Sequence, residues 1–422
     1  MGEVWIAATV FVVTYGVIAS ERVDRTVAAL LGGLVVIVLG VIDQHAAFEA
    51  IDLNVIFLLA GMMVLAGTLA RTGFFQWVAV RSVRLSRGEP FRLLIILCIV
   101  TGVLSAFLDN VTTVVLTTPV TLSIARALGV SPTPYLISQV LASNIGGTAT
   151  LIGDPPNILI GSAAGLDFTG FLINLAPVTI VIFIAFLLTL RVLFRGSLQV
   201  PDERREAILE GTEARTIVEP RLLAITLVIV GVTLVGFLFH SALGFEAATI
   251  ALLGAAVLLL VSRIDPHEAF RDVEWSTLFF FVGLFMLVEA VVEVGIVGGI
   301  AEAIASAAGG NAAVASVALL WVSAIASAIV DNIPYTATAI PVVQTLVADG
   351  LAGDVLWWSL ALGACLGGNL TLVGASANIV TANMAARAGH PIRFVEFMKY
   401  GSVVVVESLV ISTLYLWVRY LL

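Results

Sequence analysis

The sequence is poor in charged residues. They make up 12% of its 422 residues, whereas hydrophobic residues make up 60% and mean hydropathy is +1.11. A soluble domain needs more charge to cover its surface, so the apolar surface of this chain must face lipid. Apolar runs of about 18 to 25 residues recur, and as helices they are long enough to cross a hydrocarbon core of roughly 30 Å. The composition therefore predicts an all-α polytopic membrane protein.

Several other features are scarce or absent. The two cysteines, Cys98 and Cys365, lie in apolar surroundings, so no disulfide framework or thiolate metal site is expected. No basic stripe suggests nucleic acid. Intramembrane aspartyl proteases need Gly-x-Gly-Asp, but Asp154 follows Leu-Ile-Gly, so an enzyme is not expected. No nucleotide-binding motif occurs, although a separate ATPase subunit remains compatible with the sequence.

The first apolar run predicts a true membrane span. No Lys or Arg precedes residues 4–20, whereas Arg22 and Arg25 follow them. A secretion signal has the opposite arrangement, so we expect the N-terminus outside the cell.

The chain repeats itself. Sliding it by 222 residues places the loop 43–48 on 265–270 and Asp109-Asn110 on Asp331-Asn332. After one deleted residue the shift becomes 221, and Gly146-Gly147 meets Gly367-Gly368. A duplication of this kind predicts two repeats, 1–195 and 221–422, joined by a cytoplasmic linker at 196–220.

Arginine placement gives the orientation of the repeats. Under the positive-inside rule, the arginines after the first and third spans and in the central linker are cytoplasmic. In the second repeat the basic residues move to the loop equivalent to an outer loop of the first, with Arg263 and Arg271 inside. The repeats are therefore expected to be inverted, with both termini outside a bacterial inner membrane. Arg419, near the predicted outer end, is an exception.

Each repeat is predicted to contain about five crossings and one helical hairpin. The crossings are expected at 4–20, 25–42, 54–71, 134–164 and 169–194, and at 221–240, 246–263, 275–293, 355–385 and 400–421. Interfacial connectors are expected at 72–88 and 294–310, and hairpins at 91–128 and 313–348. Residues 93–108 would span only about 24 Å, which favours re-entrant hairpins.

Carboxylates near the middle of the hairpins point to a site. Ionised groups are costly in hydrocarbon and usually face a functional cavity. Asp109 and Asp331 are equivalent and each is followed by Asn. The alternative is that each Asp caps the next helix. A cap needs only one member of the pair, so the repeated Asp-Asn favours a site, and both interpretations are compatible.

Paired glycines indicate a broken helix in each repeat. Gly146-Gly147 precedes Gly153-Asp154-Pro155-Pro156-Asn157, and Gly367-Gly368 precedes a matching stretch of small residues. Unwound backbone at membrane depth lines cavities, and broken helices at matching positions mark transporter binding sites. Close helix packing is the alternative; it explains Gly32 and Gly61 better than these pairs.

Symmetry fails at Asp154, which Ala375 replaces in the second repeat. A buried carboxylate beside a cavity is suited to carry a proton, but Asp154 is equally compatible with a cap of the following helix. The coupling candidates are Asp109, Asp154 and Asp331. The substrate-binding candidates are small polar residues and glycines of the hairpins and broken helices: Asn110, Thr112, Thr113, Gly146, Gly147, Thr148, Asn157, Asn332, Gly367, Gly368, Asn369, Ser376 and Asn378.

Four segments carry a family resemblance that covers essentially the whole chain. They are Phe107-Leu108-Asp109-Asn110-Val111-Thr112-Thr113, Asn144-Ile145-Gly146-Gly147-Thr148-Ala149-Thr150, Gly153-Asp154-Pro155-Pro156-Asn157 and Asp331-Asn332-Ile333-Pro334. The chain resembles the ion transporter superfamily, in its arsenical-pump, P-protein and sodium/proton antiporter branch. The resemblance implies two hairpins and two discontinuous helices around the site, and alternating access by elevator or rocking movement.

Within that branch, the resemblance implies proton-coupled efflux of arsenite or antimonite. A neutral triol such as As(OH)3 suits amides and hydroxyls, and no Lys, Arg or His is expected in the cavity. A sodium/proton antiporter is the first alternative, because carboxylates suit Na+, and a transporter of another small anion or oxyacid is the second. A channel is also compatible with inverted repeats. No cofactor or resident metal is expected; a homodimer is compatible with the sequence.

Overall fold

The computed structural model describes residues 2–20, 22–194, 205, 217–351 and 353–422. Most of the predicted linker at 196–220 lies outside these residues. The first half contains α1 (Gly2–Ser20), α2 (Arg25–Val38), α3 (Gln44–Glu49), α4 (Leu53–Arg71), α5 (Phe74–Ser86), α6 (Pro90–Phe107), α7 (Asn110–Leu128), α8 (Thr133–Gly147), α9 (Pro155–Ala164), α10 (Phe168–Asn174) and α11 (Ala176–Phe194).

The second half repeats this order. It contains α12 (Pro220–Phe239), α13 (Ala247–Ser262), α14 (Pro266–Phe270), α15 (Trp275–Glu293), α16 (Ile296–Ala308), α17 (Ala312–Val330), α18 (Asn332–Ala348), α19 (Asp354–Gly367), α20 (Ser376–Arg387) and α21 (Phe394–Leu416), which ends in a π-helical turn at Trp417–Leu421. The all-α fold class is confirmed.

Aspartates start several helices because their carboxylates accept the free amides of the first turn. Asp24 accepts from Thr26 at 2.8 Å at the start of α2, and Asp52 accepts from Asn54 at 2.9 Å at the start of α4. The loops expected after α2 and α13 contain the short helices α3 and α14, each begun by such an aspartate. Neither helix is predicted from the sequence, because both are too short to show a helical period.

Nine helices among the described residues are long and apolar enough to cross a membrane, or ten if α9 and α10 form one bent span. This set includes the hairpin legs α6, α7 and α17, whereas α2, α13 and α19 are shorter apolar helices. The predicted crossing at 169–194 is wrong in one respect, because it divides at Leu175 into α10 and α11. Helices α9 and α10 meet at 115°.

Equivalent helices of the two repeats run antiparallel. Arg71, at the end of α4, contacts Glu268 and Asp272, which precede α15, the equivalent of α4. Asn174, which precedes α11, contacts Tyr420, just beyond the end of its equivalent α21. Two helices related by duplication and pointing in opposite directions are what an inverted repeat requires. The predicted inverted architecture is thus present.

The two repeats pack through small residues. Helix α2 packs on α15 and α4 on α13, reciprocally. A Cβ atom at Gly61 would meet the backbone of Ala251, and one at Gly283 would meet the backbone of Ala29. The predicted packing role of Gly61 fits this contact. Arg419, the exception to the charge rule, donates to Asn174 at 3.0 Å and lies over two tyrosine rings.

Each hairpin tip lies level with a helix break. Helix α6 runs beside α8, with the Tyr135 hydroxyl on the Pro90 carbonyl near one end and the Ser105 hydroxyl on the Ser143 carbonyl near the other. Helix α6 has 18 residues, which is about 27 Å and longer than predicted. It nevertheless ends where α8 ends, and α9 continues beyond it. The re-entrant hairpin stays a prediction that this level placement supports.

Candidate functional site

The site is the meeting point of four chain interruptions. Two are the hairpin tips, 108–110 between α6 and α7 and 330–332 between α17 and α18. Two are the helix breaks, 148–154 after α8 and 368–375 after α19. All four interruptions expose backbone groups and small polar side chains at the interface between the repeats.

Asp154 is the centre of the buried network. It is 0% exposed, and its Oδ1 accepts from Asn110 Nδ2 at 3.1 Å and from Asn332 Nδ2 at 3.2 Å. Both hairpin tips therefore donate to one carboxylate. Although Asp154 occupies the N-cap position of α9, it makes no capping hydrogen bond there. The alternative interpretation of Asp154 as a helix cap is wrong, because its oxygens face the tips.

Asn144 joins the two halves and was missed among the site candidates. Its amide nitrogen donates to Asn369 Oδ1 at 2.9 Å and to Asn378 Oδ1 at 3.0 Å, while its oxygen accepts from Asn110 at 3.2 Å. The repeat alignment held a signal, because Asn144 falls on Cys365 and so breaks the symmetry. Asn369 also donates weakly to the Leu141 carbonyl, at 3.4 Å.

Asp109 and Asp331 are helix caps that also belong to the site. Asp109 Oδ2 accepts from the amide and hydroxyl of Thr112 at 2.9 and 3.0 Å, and Asp331 Oδ1 accepts from the Ile333 amide at 3.0 Å. They are 7% and 6% exposed. Asp331 adopts φ +87°, a conformation unfavourable for a residue with a Cβ atom. Its counterpart Asp109 has φ −55°, so the strain is confined to the second tip.

The first hairpin tip contains buried oxygen atoms without partners. Asp109 Oδ1, Asn110 Oδ1 and Thr113 Oγ1 are enclosed and accept no hydrogen bond. Buried polar atoms without partners are rare in native structures, and they suit a bound cation, proton or solute. The Thr112 hydroxyl, by contrast, is already bonded to Asp109.

The glycine pairs serve close packing as well as unwinding. A Cβ atom at Gly146 would collide with Gly102 of α6, and one at Gly367 would collide with Ala324 of α17. Gly147 and Gly368 face Gly153 and Gly374 across their own breaks. The packing alternative therefore holds for Gly146 and Gly367.

Asn157 and Asn378 hold the two breaks in shape. The Asn157 amide donates to the carbonyls of Thr148 and Thr150 at 3.1 and 2.8 Å, and the Asn378 amide donates to those of Gly368 and Thr371, both at 2.8 Å. The Thr148 hydroxyl donates back to Asn144 O at 2.8 Å. These donors are occupied within the protein, so the three residues build the site rather than offer free donors to a solute.

Cys365 lies inside this network. Its Sγ contacts Asn157 Oδ1 at 3.4 Å, and the side chain is fully buried. The apolar surroundings inferred from sequence are wrong, because the fold brings the polar break of the other repeat against α19. Cys98, in α6, is buried in the hydrophobic core as expected.

The expectation of a cavity without cationic side chains is wrong. Arg25 Nη1 lies 3.6 Å from Asp331 Oδ2, and Arg25 also donates to the Ser376 hydroxyl, which donates to Asp331 Oδ2 at 2.8 Å. Its guanidinium lies 5.3 Å from the centre of the Phe280 ring. The sequence predicts only that Arg25 lies in a cytoplasmic loop. Only the packing of α2 against the second repeat brings it to the tip of the other hairpin.

Two cavities approach the site. One of about 400 Å³ is lined by Arg25, Glu274, Asp331, Ser376 and Asn383 among others. The other, of about 310 Å³, is lined by Asn54, Ser162, His240 and Glu246 among others. The first reaches a carboxylate of a hairpin tip, and the second stops at Leu151 and Ile158 of the first repeat.

Inverted repeats and broken helices with buried carboxylates at their interface are the features of a membrane transporter. The family model described as "Citrate transporter" matches residues 15–363, and the chain belongs to this family. The chain is 44% identical to the 46 kDa membrane protein of Mycobacterium leprae over 423 residues, covering 99% of both.

Other similarities agree. The chain is 44% identical to an uncharacterized transporter of Mycobacterium tuberculosis over 422 residues, covering 98% of each. It is 35% identical to the human P protein over 504 residues, covering 99% of this chain and 60% of the P protein. The crystal structure of the Alcanivorax borkumensis YdaH transporter matches with a TM-score of 0.61 at 15% identity, covering 91% of this chain and 88% of the other. These similarities confirm the predicted superfamily.

Proposed function

We propose that the chain is a cation-coupled secondary transporter of a small anion, with protons as the coupling ions. The observation that carries the proposal is the combination of Arg25 with three buried carboxylates, Asp109, Asp154 and Asp331, at one site. An anion gains a counter-charge from Arg25, but the carboxylates outnumber that guanidinium. Uncompensated buried charge is costly, so the carboxylates must be neutralised before an anion enters.

Protons are the simplest neutralising ions, because the buried Asp154 forms no ion pair among the described residues and a proton cancels its charge without further ligands. Sodium is the alternative coupling ion. The unpartnered oxygens of Asp109, Asn110 and Thr113 are the hard ligands that Na+ prefers. Transport driven by an imposed pH gradient or by an imposed Na+ gradient distinguishes the two ions.

Efflux of arsenite or antimonite remains a second candidate substrate assignment. The observation that favours it is Cys365, whose sulfur lies within the amide-rich network and is a soft donor for As(III). Arg25 weighs against it, because a neutral triol gains little from a guanidinium. The description of the family supports an anion, although it names citrate for the family and not for this chain.

Uptake into proteoliposomes tests the proposal. Purified protein is given labelled citrate, arsenite or Na+ in parallel, with an imposed pH gradient or an imposed Na+ gradient. We expect an anion to accumulate under the pH gradient, to leave when an uncoupler is added, and not to accumulate with Asp154→Asn. Asp265→Asn, which alters an exposed loop carboxylate, is the matched control.

The other outcomes decide between the alternatives. Arsenite accumulation without citrate accumulation assigns the second candidate. Proton release on addition of Na+, with no movement of either solute, identifies a sodium/proton antiporter and contradicts the proposal. Solute flux that only follows its own gradient identifies a channel.

A further inference from the structure

The two cavities described above are counterparts under the internal repeat. Shifts of 222 and 221 residues carry Asn54 to Ser276 and Ser162 to Asn383, and each pair lines the two cavities. The helices that line them are inverted copies, so the cavities open toward opposite ends of the molecule. We therefore treat them as the two mouths of the candidate site.

The two mouths differ in the charged groups that line them. Arg25, which lines the larger cavity, corresponds to Ala247, which lines the smaller one. Ser376, which links Arg25 to Asp331, corresponds to Pro155, which has no hydroxyl. The duplication would have given both mouths the same chemistry, but a guanidinium lines only one of these two cavities and the imidazole of His240 lines the other.

Arg25 is partly exposed, and its ion pair with Asp331 is long although it also contacts Ser376 and Phe280. Its side chain is 29% exposed, and its contact with Asp331 at 3.6 Å is a long ion pair bridged by Ser376. A guanidinium has five N–H donors, and a bidentate contact with a carboxylate is stronger than this geometry. Glu274 and Asp24 also line the mouth, and Asp24 is occupied in capping α2. Donors of Arg25 that face the cavity are thus available to a solute.

We propose that Arg25 is an anion-binding subsite at this mouth, for which Asp331 and the transported anion compete. This inference rests on the proposed function and adds to it which residue recognises the anion. When no anion is bound, the Asp331 carboxylate pairs with the Arg25 guanidinium in the place that the anion takes in the loaded site. Neutralising Asp331 frees Arg25, so the anion is recognised best after the cation has bound. The strained backbone of Asp331 (φ +87°) is consistent with a residue held in place for this role.

The electrostatics of the mouth can be measured without transport. Asn383→Cys places an exposed thiol in the Arg25 mouth, and Ser162→Cys places its counterpart in the other mouth. Purified protein is reacted with an anionic (ethylsulfonate) and a cationic (trimethylammonium) methanethiosulfonate. Reaction of the parent protein, with Cys98 and Cys365 buried, is subtracted.

We expect Arg25→Gln to lower the ratio of anionic to cationic labelling rates at Asn383→Cys by about fivefold, because a nearby positive charge attracts the anionic reagent. Arg25→Lys should restore most of the ratio. At Ser162→Cys, Arg25→Gln should leave the ratio unchanged, and Arg22→Gln, an exposed arginine three residues away, should leave both unchanged. Competition predicts that the effect of Arg25→Gln is at least about twofold larger when Asp331→Asn is also present.

Citrate protection of Asn383→Cys completes the test. Protection should weaken about tenfold or more with Arg25→Gln and strengthen with Asp331→Asn. The inference is overturned, even if the protein transports an anion, by either of two results. One is a labelling ratio that Arg25→Gln leaves unchanged; the other is a double variant in which the effects of Arg25→Gln and Asp331→Asn simply add. If the coupling appears but none of the solutes is transported, the proposed function fails while the charged mouth stands. Size-exclusion profiles exclude variants that do not fold.

Discussion

At the scale of single residues, the site is built where the duplicated sequence departs from symmetry. In the repeat alignment Asp154 corresponds to Ala375, Asn144 to Cys365 and Arg25 to Ala247. The three departures remove a carboxylate, an amide and a guanidinium from one repeat each, so the network has one central carboxylate and one mouth with a guanidinium. Symmetric pairs such as Asn157 and Asn378 instead do the same structural work twice.

Replacing Asp154 by Ala should lower the stability of the protein by about 1–3 kcal/mol, because the buried amides of Asn110 and Asn332 lose a shared acceptor. Thermal unfolding in detergent measures this change. Asp43→Ala, which removes only the exposed cap of α3, should cost about 1 kcal/mol or less. An Asp154→Ala protein as stable as the parent would mean that the amides find other partners and that Asp154 does not organise the tips.

At the scale of helices, the fold places four interruptions at one depth. The hairpin leg α6 ends beside the end of α8 because small residues let the two backbones approach, with Gly102 on Gly146. The same contact recurs between α17 and α19, with Ala324 on Gly367. The aspartates at the tips cap the N-termini of α7 and α18, so the residues that begin these helices also present carboxylates to the site.

Gly146→Ala should therefore lower the yield of folded protein and abolish transport, since its Cβ atom would meet the backbone of Gly102, which cannot move aside as a side chain can. Fluorescence-detected size-exclusion of a tagged protein gives the yield. Gly231→Ala is the control, because nothing lies within 4 Å of a Cβ atom there and alanine favours the interior of α12. Equal yields for the two variants would contradict the tight α6–α8 contact.

At the scale of the whole molecule, the inverted repeat gives two related cavities and only one of them reaches a tip carboxylate. This difference between counterparts is what alternating access requires, because one mouth must be open to the site while the other is closed. Charge placement predicts that the Arg25 mouth faces the cytoplasm, since Arg22 and Arg25 follow a span that is predicted to begin outside. We therefore predict that the structure represents a state open to the cytoplasm.

Labelling from each side of a membrane tests this orientation. In inside-out vesicles a membrane-impermeant maleimide should label Asn383→Cys at least about tenfold faster than Ser162→Cys, because only the Arg25 mouth faces the bulk solution. Right-side-out vesicles should reverse the order. The parent protein, with both native cysteines buried, gives the background. If the same cysteine is labelled faster in both preparations, the protein is inserted in mixed orientations. If Ser162→Cys is labelled faster in inside-out vesicles and Asn383→Cys in right-side-out vesicles, both termini lie inside.

The sequence by itself determined the membrane class, the duplication, the inversion and the segments that line the site. These follow from hydropathy, from repeat register and from arginine placement, which depend on local composition. Most helices lie within a few residues of their predicted bounds; α3 and α14 were missed because short polar helices carry little periodic signal.

Only the tertiary structure decided which side chains meet. Arg25 and Asp331 are separated by more than half of the chain, and Asn144 contacts residues of the other repeat. No local pattern records such contacts, because they arise from the packing of whole helices. The same packing decided that Asp154 accepts from both tips rather than capping α9. It also decided that Asn157 and Asn378 hydrogen-bond the carbonyls of the helix breaks, and that the Arg25 guanidinium lies at the site. Charge and pattern gave the parts of the site, and long-range packing gave its chemistry.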